Sequence, residues 1–533
     1  MAERNFTPYQ LVHLIKLLSN GQKSLLISDG VGVGKTISAG YIIQFVNIIM
    51  QKPVIILCPP VLEQKWIMDI KLRFDLEILS AKMEEDFQVM VNEIRSQPVN
   101  PKIYIIPYSS ATRRKLPVDL EVGLVVMDEI HHARNRTTNL YKILGDYCGC
   151  SEFRIGLSAT PIQNTINDLS SIMSLLFPVF DYTIWKLFID EIWRRKQLSI
   201  LSPFVTKFTK DRLGLAFTKR QVHQLNVEYD ASYVQLVQQS LDKIGQSKGK
   251  LLTSFEKIIY LRMASSSPNA FFKSIERGIS EDYPNQKINK LENLISANGP
   301  GRWIIFTEFK ETAKLIINSF PNRPITLISG ESSFSERYLA FDNFRANSDS
   351  ILVMMPVGSE GLDLQICSRM VNFDLHWNPM KLEQRIGRID RIGQNKESVD
   401  IFNFVVRGSV DEQMLSILKS KLDIVEETFA STEDVLSNNS RPLSTGSYFS
   451  NIDEKSSIES FLKKMSFYEN IQSDDYELAS LLPVDTCDCL KWDTFSDNWL
   501  NEVILRSDNC KELANNFYKS TEIPLSILRE YGS

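Results

Sequence analysis

What this 533-residue sequence lacks narrows its nature first. No run approaches the roughly 18 to 20 uninterrupted apolar residues that a membrane helix requires. The most apolar stretches, such as YIIQFVNIIM, are broken by Gln44 and Asn47. The opening MAERNFTPYQ lacks the charged-then-apolar layout of a secretion signal, so a cytoplasmic location and no membrane partner are expected. Cysteine is scarce: seven residues, an odd number, do not form the dense even framework of a secreted disulfide scaffold. Histidine is scarcer, with five residues at positions 13, 131, 132, 223 and 376. None completes four-ligand spacing with the C-x-C pairs Cys148–Cys150 and Cys487–Cys489, so structural thiols are favoured over zinc. No fixed-period repeat is present, and the chain reads as successive domains.

An excess of either charge is also missing. Net charge is only −5, which argues against a uniformly basic nucleic-acid-binding surface. The distribution says more: residues 431–533 hold 18 acidic against 9 basic side chains, leaving a mildly basic body compatible with DNA bound in a cleft.

What is present is a βα alternation. SLLIS, PVIILCP, KIYIIPY, GLVVMDE and FRIGLSAT are short β-rich runs bounded by Pro, Gly or Asp, and they predict buried parallel strands with crossover helices. Residues 181–285 read as a mostly helical connector or protrusion. The alternation returns over 286–430 with RWIIFTEF, PITLISG, SILVMMP, RMVNFDL and VDIFNFV. Residues 431–456 have the Ser, Asn and acid content of a linker, and 457–533 read as a small acidic helical domain.

LLISDGVGVGKTISAG, residues 25–40, is nearly a phosphate-binding loop, except that the strict pattern G-x-x-x-x-G-K-[ST] wants glycine where Asp29 stands. Gly32 and Gly34 supply backbone N–H groups for phosphate, Lys35 a point charge and Thr36 a hydroxyl for Mg2+. About 90 residues on, GLVVMDEIHH ends a strand in two acids. Asp128 suits a magnesium ligand and Glu129 the base that activates water, although an acidic turn after a buried strand would read the same way in isolation.

SDGVGVGKT, DEIHH, GLSATPIQN, VGSEGLDLQ and EQRIGRIDRIGQ occur in the order and approximate spacing of superfamily-two helicase motifs. They resemble those of the Swi/Snf-type DNA translocases, in the style of the bacterial branch that associates with RNA polymerase. The resemblance covers residues 5–430. It implies an α/β fold of two RecA-like parallel-sheet lobes, 1–180 and 286–430, with ATP and Mg2+ as cofactors and double-stranded DNA as partner. That family's loop opens with Asp-Glu, so Asp29 follows it and Gly30 departs, a change expected to loosen the loop or alter a contact.

Residue by residue, the resemblance places Tyr9 and Gln10 at the adenine. Asp29, Gly30, Val31, Gly32, Val33, Gly34, Lys35 and Thr36 fall around the phosphates, with Gly361 and Asp363 also on the nucleotide side. His131, Ser158, Thr160 and Gln384 would couple ATP to DNA, and Arg388 and Arg391 would be arginine fingers. Pro59, Gln64, Tyr108, Arg113, Thr307, Gly330, Ser359 and Glu360 would meet the nucleic acid, with Trp66, Ser109 and Arg114 beside them. Val205, Thr206 and Lys207 stand where the family has a paired-arginine segment, which puts one activating contact in doubt. The expected function is ATP-driven translocation on double-stranded DNA. A strand-separating helicase is an alternative; so is an ATP-gated scaffold that recruits a polymerase, nuclease or anti-phage defence subunit through residues 431–533.

Overall fold

The structure, a computed structural model, describes residues 9–19, 23–162, 166–178, 180–194, 201–208, 218–247, 254–275, 284–356, 362, 364–376, 379–391, 393–412 and 415. The expected linker 431–456 and helical domain 457–533 lie outside them. The described residues belong to two compact units that divide at residues 215 and 216.

The first unit is built on β1 (Ser24–Ile27), β2 (Val54–Cys58), β3 (Ile78–Ser80), β4 (Ile103–Pro107), β5 (Val122–Asp128), β6 (Ser151–Leu157) and β7 (Val205–Thr206). Its sheet runs β3-β4-β2-β5-β6-β1-β7, every pair parallel. Because helices cover both faces, the central strands are mostly apolar, with β2 (VIILC) apolar throughout, which is why they read as hydrophobic runs. Alternate side chains go to opposite cores: Leu26, Ile55, Leu57, Val125 and Met127 to one, Leu25, Ile27, Val54, Ile56 and Val126 to the other. The second face is covered by α1 (Tyr9–Ser19), α2 (Lys35–Gln44) and α3 (Glu63–Phe74). α2 and α3 approach so closely that a Cβ on Gly40 would lie 2.2 Å from the Phe74 ring, so glycine is required there.

The second unit comprises β8 (Lys219–Val227), β9 (Trp303–Phe306), β10 (Ile325–Ile328), β11 (Ile351–Met354), β12 (Arg369–Asn372) and β13 (Ser398–Val406). It is again a parallel sheet, in the order β10-β11-β9-β12-β13-β8. The α/β expectation therefore holds for both units, and each of the ten expected strand runs is a strand. Residues 181–285 hold the helices Tyr182–Arg194, Ala231–Ser247, Ser254–Ser266 and Pro268–Ser274, as a mostly helical segment should, and they also supply strands to both sheets. Helix Tyr182–Arg194 buries Trp185, Ile189 and Ile192 in the first core, β7 closes the first sheet, and β8 is a full nine-residue edge strand of the second. Among the described residues no helix is long and apolar enough to cross a membrane.

One buried ion network fixes β8 to the rest of its unit. The Arg220 guanidinium, 3% exposed, donates to both carboxylate oxygens of Glu383 at 2.7 and 2.8 Å and to Asp390 at 2.6 Å. Burial works against the charge, yet the two carboxylates raise the Arg220 pKa and keep it ionised. Arg220→Met, which leaves both acids buried without their cation, should destabilise the second unit by about 3–5 kcal/mol in urea unfolding. A change below about 1 kcal/mol would show that water already reaches the network.

Candidate nucleotide site

Three neighbouring strands deliver the site. Register pairs Ile27 of β1 with Leu157 of β6, and Leu157 with Asp128 of β5, so the chain leaves the sheet at one level in three places. Those exits are the loop 28–34, Glu129 and Ser158, at the C-terminal strand ends where open α/β sheets bind ligands.

In the loop, Gly32 (φ 81°) and Gly34 (φ 96°) adopt the left-handed conformation that turns consecutive N–H groups into a concavity. Gly34 is the N-cap of α2, and no side chain caps that helix, so its first-turn donors face the loop. A Cβ at Gly34 would also stand 2.7 Å from Gln10 Nε2, which lies directly against it. Val33 is fully buried with Tyr9, Val12 and Phe208, and the Tyr9 hydroxyl donates to the Val33 carbonyl. Tyr9 and Gln10, both buried, therefore pack directly against the phosphate loop. Lys35 Nζ donates to the carbonyls of Asp29 (3.0 Å) and Gly30 (3.1 Å), which places its charge inside the concavity. Thr36 follows in the first turn, half-buried beside Val31 and Gly32 of the loop.

Asp29 does something else. Its side chain is fully buried and turned away from the concavity: one carboxylate oxygen accepts from the Phe208 N–H at 3.0 Å, the other lies 2.9 Å from His13 Nε2. It is not a phosphate contact, which corrects the expectation. Gly30 is likewise milder than expected. Its N–H donates to the Phe208 carbonyl at 2.9 Å, so the backbone is pinned, and an added Cβ would meet only ordinary contacts at 3.5 and 3.6 Å.

The acid pair sits between two hydrogen-bond systems. Asp128 accepts from Trp66 Nε1 at 2.8 Å and from the Glu129 N–H at 2.9 Å, and the Tyr108 hydroxyl donates to its carbonyl at 2.5 Å. Glu129 takes a left-handed φ of 49°, rare for a side chain of its size, and this turns its carboxylate toward His131, whose Nδ1 is 3.2 Å away. The same nitrogen is 3.0 Å from Ser158 Oγ, which accepts from the Thr160 N–H at 3.2 Å. Hydrogen bonds thus join His131, Ser158 and Thr160, and the Glu129 carboxylate approaches His131 at ion-pair distance without a hydrogen bond, making one row of close polar contacts. Burial and the neighbouring Glu129 charge push Asp128 up from the usual carboxylate range. Burial acts on Glu129 as well, but His131, Lys35 and His132 outweigh it and hold Glu129 low. The two acids are split: one stays ionised, the other calls for a cation. That donor set, with the Thr36 hydroxyl, fits a hard divalent ion.

Several expected nucleic-acid contacts lie elsewhere. Tyr108 and Trp66 are buried supports of Asp128, and Pro59 is buried too. Thr307 is fully buried and its hydroxyl donates to Asp374 at 2.6 Å, so it is not offered to a phosphate. Arg114 is held by Glu84 at 2.8 Å. Arg113, Ser109 and Gly330 are exposed and Gln64 is half-buried, positions from which a backbone phosphate can be met. In the second unit, Arg385 is buried, donating to Asn372 and to the Asp374 carbonyl, whereas Gln384, Arg388 and Arg391 are partly exposed on the helix Pro379–Ile386 and the turn after it. Ser359, Glu360, Gly361 and Asp363 lie outside the described residues. Sequence reasoning missed His13; the apolar α1 around it, with no partner in sight, carried no signal.

Trp66→Phe removes the donor to Asp128 while keeping an aromatic ring. It should lower magnesium-dependent ATPase activity about 10- to 100-fold with an unchanged circular dichroism spectrum. Gly30→Glu, by contrast, should shift the thermal midpoint by no more than about 2 °C, because the backbone there is pinned and an added Cβ meets only ordinary contacts.

Family models match along most of the described chain: an SNF2-related domain over residues 9–296 and a helicase conserved C-terminal domain over 286–393. The chain is 26% identical over 466 residues to the uncharacterized ATP-dependent helicase YqhH of Bacillus subtilis, covering 80% of each. It is 25% identical to the RNA polymerase-associated protein RapA of Erwinia tasmaniensis, covering 69% of this chain and 44% of that one. It is 23% identical to the ISWI chromatin-remodeling complex ATPase ISW1 of Saccharomyces cerevisiae, covering 78% and 40%. It thus spans most of YqhH but under half the length of RapA and of ISW1. With the SNF2-related match spanning more than half of the sequence and the motor motifs set on adjacent strand ends, the chain belongs to the SNF2-related family of helicase-like ATPases.

Proposed function

We propose that this ATPase is a translocase on double-stranded DNA that moves along or remodels protein–DNA complexes. The row of close polar contacts from Glu129 through His131 to Ser158 and Thr160 carries the reading. It connects the carboxylate that would activate water to a loop on the next strand, a route by which the state of the γ-phosphate can reach other parts of the protein. The lengths of RapA and ISW1 outside the match leave their full activities open for this chain; RapA is named for its association with RNA polymerase and ISW1 for a chromatin-remodeling complex.

In this mechanism Gln10 and Tyr9 orient the base, and the N–H groups of residues 32–36 surround the phosphates. Thr36 and Asp128 would hold Mg2+, which would supply positive charge beside the phosphates. Glu129, kept ionised by its surroundings, would accept a proton from water, while Lys35 would stabilise the charge that develops on the transferred group. Arg113, Gln64 and Gly330 meet the DNA backbone, contacts that carry little sequence information. Residues 431–533 are proposed to recruit a protein partner.

The test is ATP hydrolysis with and without double-stranded DNA, together with triplex displacement. Double-stranded DNA should stimulate hydrolysis. Lys35→Ala and Glu129→Gln should each reduce kcat by about 10²–10⁴-fold, and the wild type should release a triplex strand but no duplex strand. Stimulation by single-stranded RNA alone would refute the reading; release of a duplex strand would make the protein a helicase instead.

A further inference from the structure

The first unit's last described residues before the chain passes to the second unit, 204–208, are bound to the phosphate loop residue by residue. Backbone N–H groups of Leu26, Ser28 and Gly30 donate to the carbonyls of Phe204 (3.0 Å), Thr206 (2.7 Å) and Phe208 (2.9 Å), so the pairing of β1 with β7 continues past the strand into the loop. Asp29 answers in the other direction by accepting from the Phe208 N–H at 3.0 Å. From α1, Lys16 Nζ donates to the Val205 carbonyl at 3.0 Å, and His13 Nδ1 is 2.9 Å from Thr206 Oγ1. His13 Nε2 lies 2.9 Å from the other Asp29 carboxylate oxygen, a close polar approach without hydrogen-bond geometry. The Phe208 ring is inserted between Tyr9 and His13, at centroid distances of 5.8 and 5.3 Å. His13, Asp29, Thr206 and Phe208 are all fully buried.

We propose that residues 204–208 form a strap that reads the state of the phosphate loop, with Asp29 as its positioning residue and His13 and Thr206 as the lock that holds it. The loop cannot change its backbone to seat a phosphate without moving the N–H groups of Ser28 and Gly30. Those groups are tied to carbonyls of the strap, and buried polar groups in such a ladder do not separate without losing their partners. The strap therefore moves with the loop. By sequence it leads to β8, only ten residues farther on, so a change at the nucleotide is handed to the chain that enters the second unit. This gives the Asp29 deviation from the glycine pattern a physical purpose: a glycine there would leave the Phe208 N–H without its acceptor. The same strap includes Val205–Lys207, where the family's basic pair was expected, and all three residues are buried.

The inference rests on the loop binding nucleotide, and hydrogen exchange separates the two claims. In the full chain, ATPγS with Mg2+ at about 100 times its Kd should slow exchange of amides 204–208 by up to about a hundredfold, if opening the strap requires release of nucleotide. Asp29→Asn and Thr206→Val should keep protection at residues 32–36 and lose most of it at 204–208. Thr206→Ser, which retains the hydroxyl, should restore the wild-type pattern, so a fold disturbed by valine is recognised as such. Wild-type binding of ATPγS without protection at 204–208 would overturn the strap alone. So would full protection in both Asp29→Asn and Thr206→Val. Absence of ATPγS binding by the wild type would overturn the nucleotide reading and the strap with it.

Discussion

The nucleotide site depends on the register of three parallel strands. Because Ile27, Leu157 and Asp128 stand side by side across β1, β6 and β5, three remote pieces of sequence leave the sheet next to one another, and no local folding device is needed to assemble them. A slip of one residue would turn every side chain of a strand to the opposite core. Gly156 shows how tightly the register is held: a Cβ there would come within 3.0 Å of Ile130 and Leu176 and 3.3 Å of Leu26, side chains from the elements around the site. The hydrophobic packing that stabilises the first unit thereby positions its chemistry, and catalytic geometry is inherited from core geometry.

On this scaffold the two acids acquire different tasks from their surroundings alone. Both sit at the same strand end, Asp128 buried and Glu129 partly so, and burial opposes ionisation of each. Glu129 escapes because its left-handed backbone turns it toward His131 and because Lys35 and His132 add positive potential. Asp128 receives neutral donors from Trp66 and the backbone, too little to offset burial and the adjacent Glu129 charge. The backbone strain at Glu129 and the proton affinity at Asp128 are two expressions of one arrangement. Removing the strain would return Glu129 toward its neighbour and undo the split.

How much of this could be read in the sequence follows from where the information resides. Buried parallel strands must be apolar on both faces, and that requirement made β1, β2, β4, β5, β6 and the interior strands of the second sheet legible. β7 has two residues and β3 three, too short to show a period, and β8 mixes polar with apolar positions because it is an edge. The phosphate loop and the acid pair were visible because their chemistry is local in sequence. Trp66, Tyr108 and Thr307 were read as nucleic-acid contacts because their sequence neighbours suggested it. Their hydrogen bonds go to residues 62, 20 and 67 positions away, and nothing local distinguishes a hydroxyl or indole turned inward from one turned out.

Asp29 is the most instructive case, since the sequence pattern noticed the position and assigned it to the wrong partner. A carboxylate at the head of a phosphate loop opposes phosphate by charge, so its presence argues either against the loop or for a partner that takes the carboxylate elsewhere. His13 and the Phe208 N–H are that partner, and they come from positions 16 residues before and 179 after it. With the charge contained in this way, the field in the concavity is set by Lys35 and by the glycine N–H groups, as an anion site requires. The departure at Gly30 is tolerated for the same reason. Once the backbone at Ser28 and at Gly30 itself is tied to the strap, the side chain at position 30 no longer determines the loop's shape.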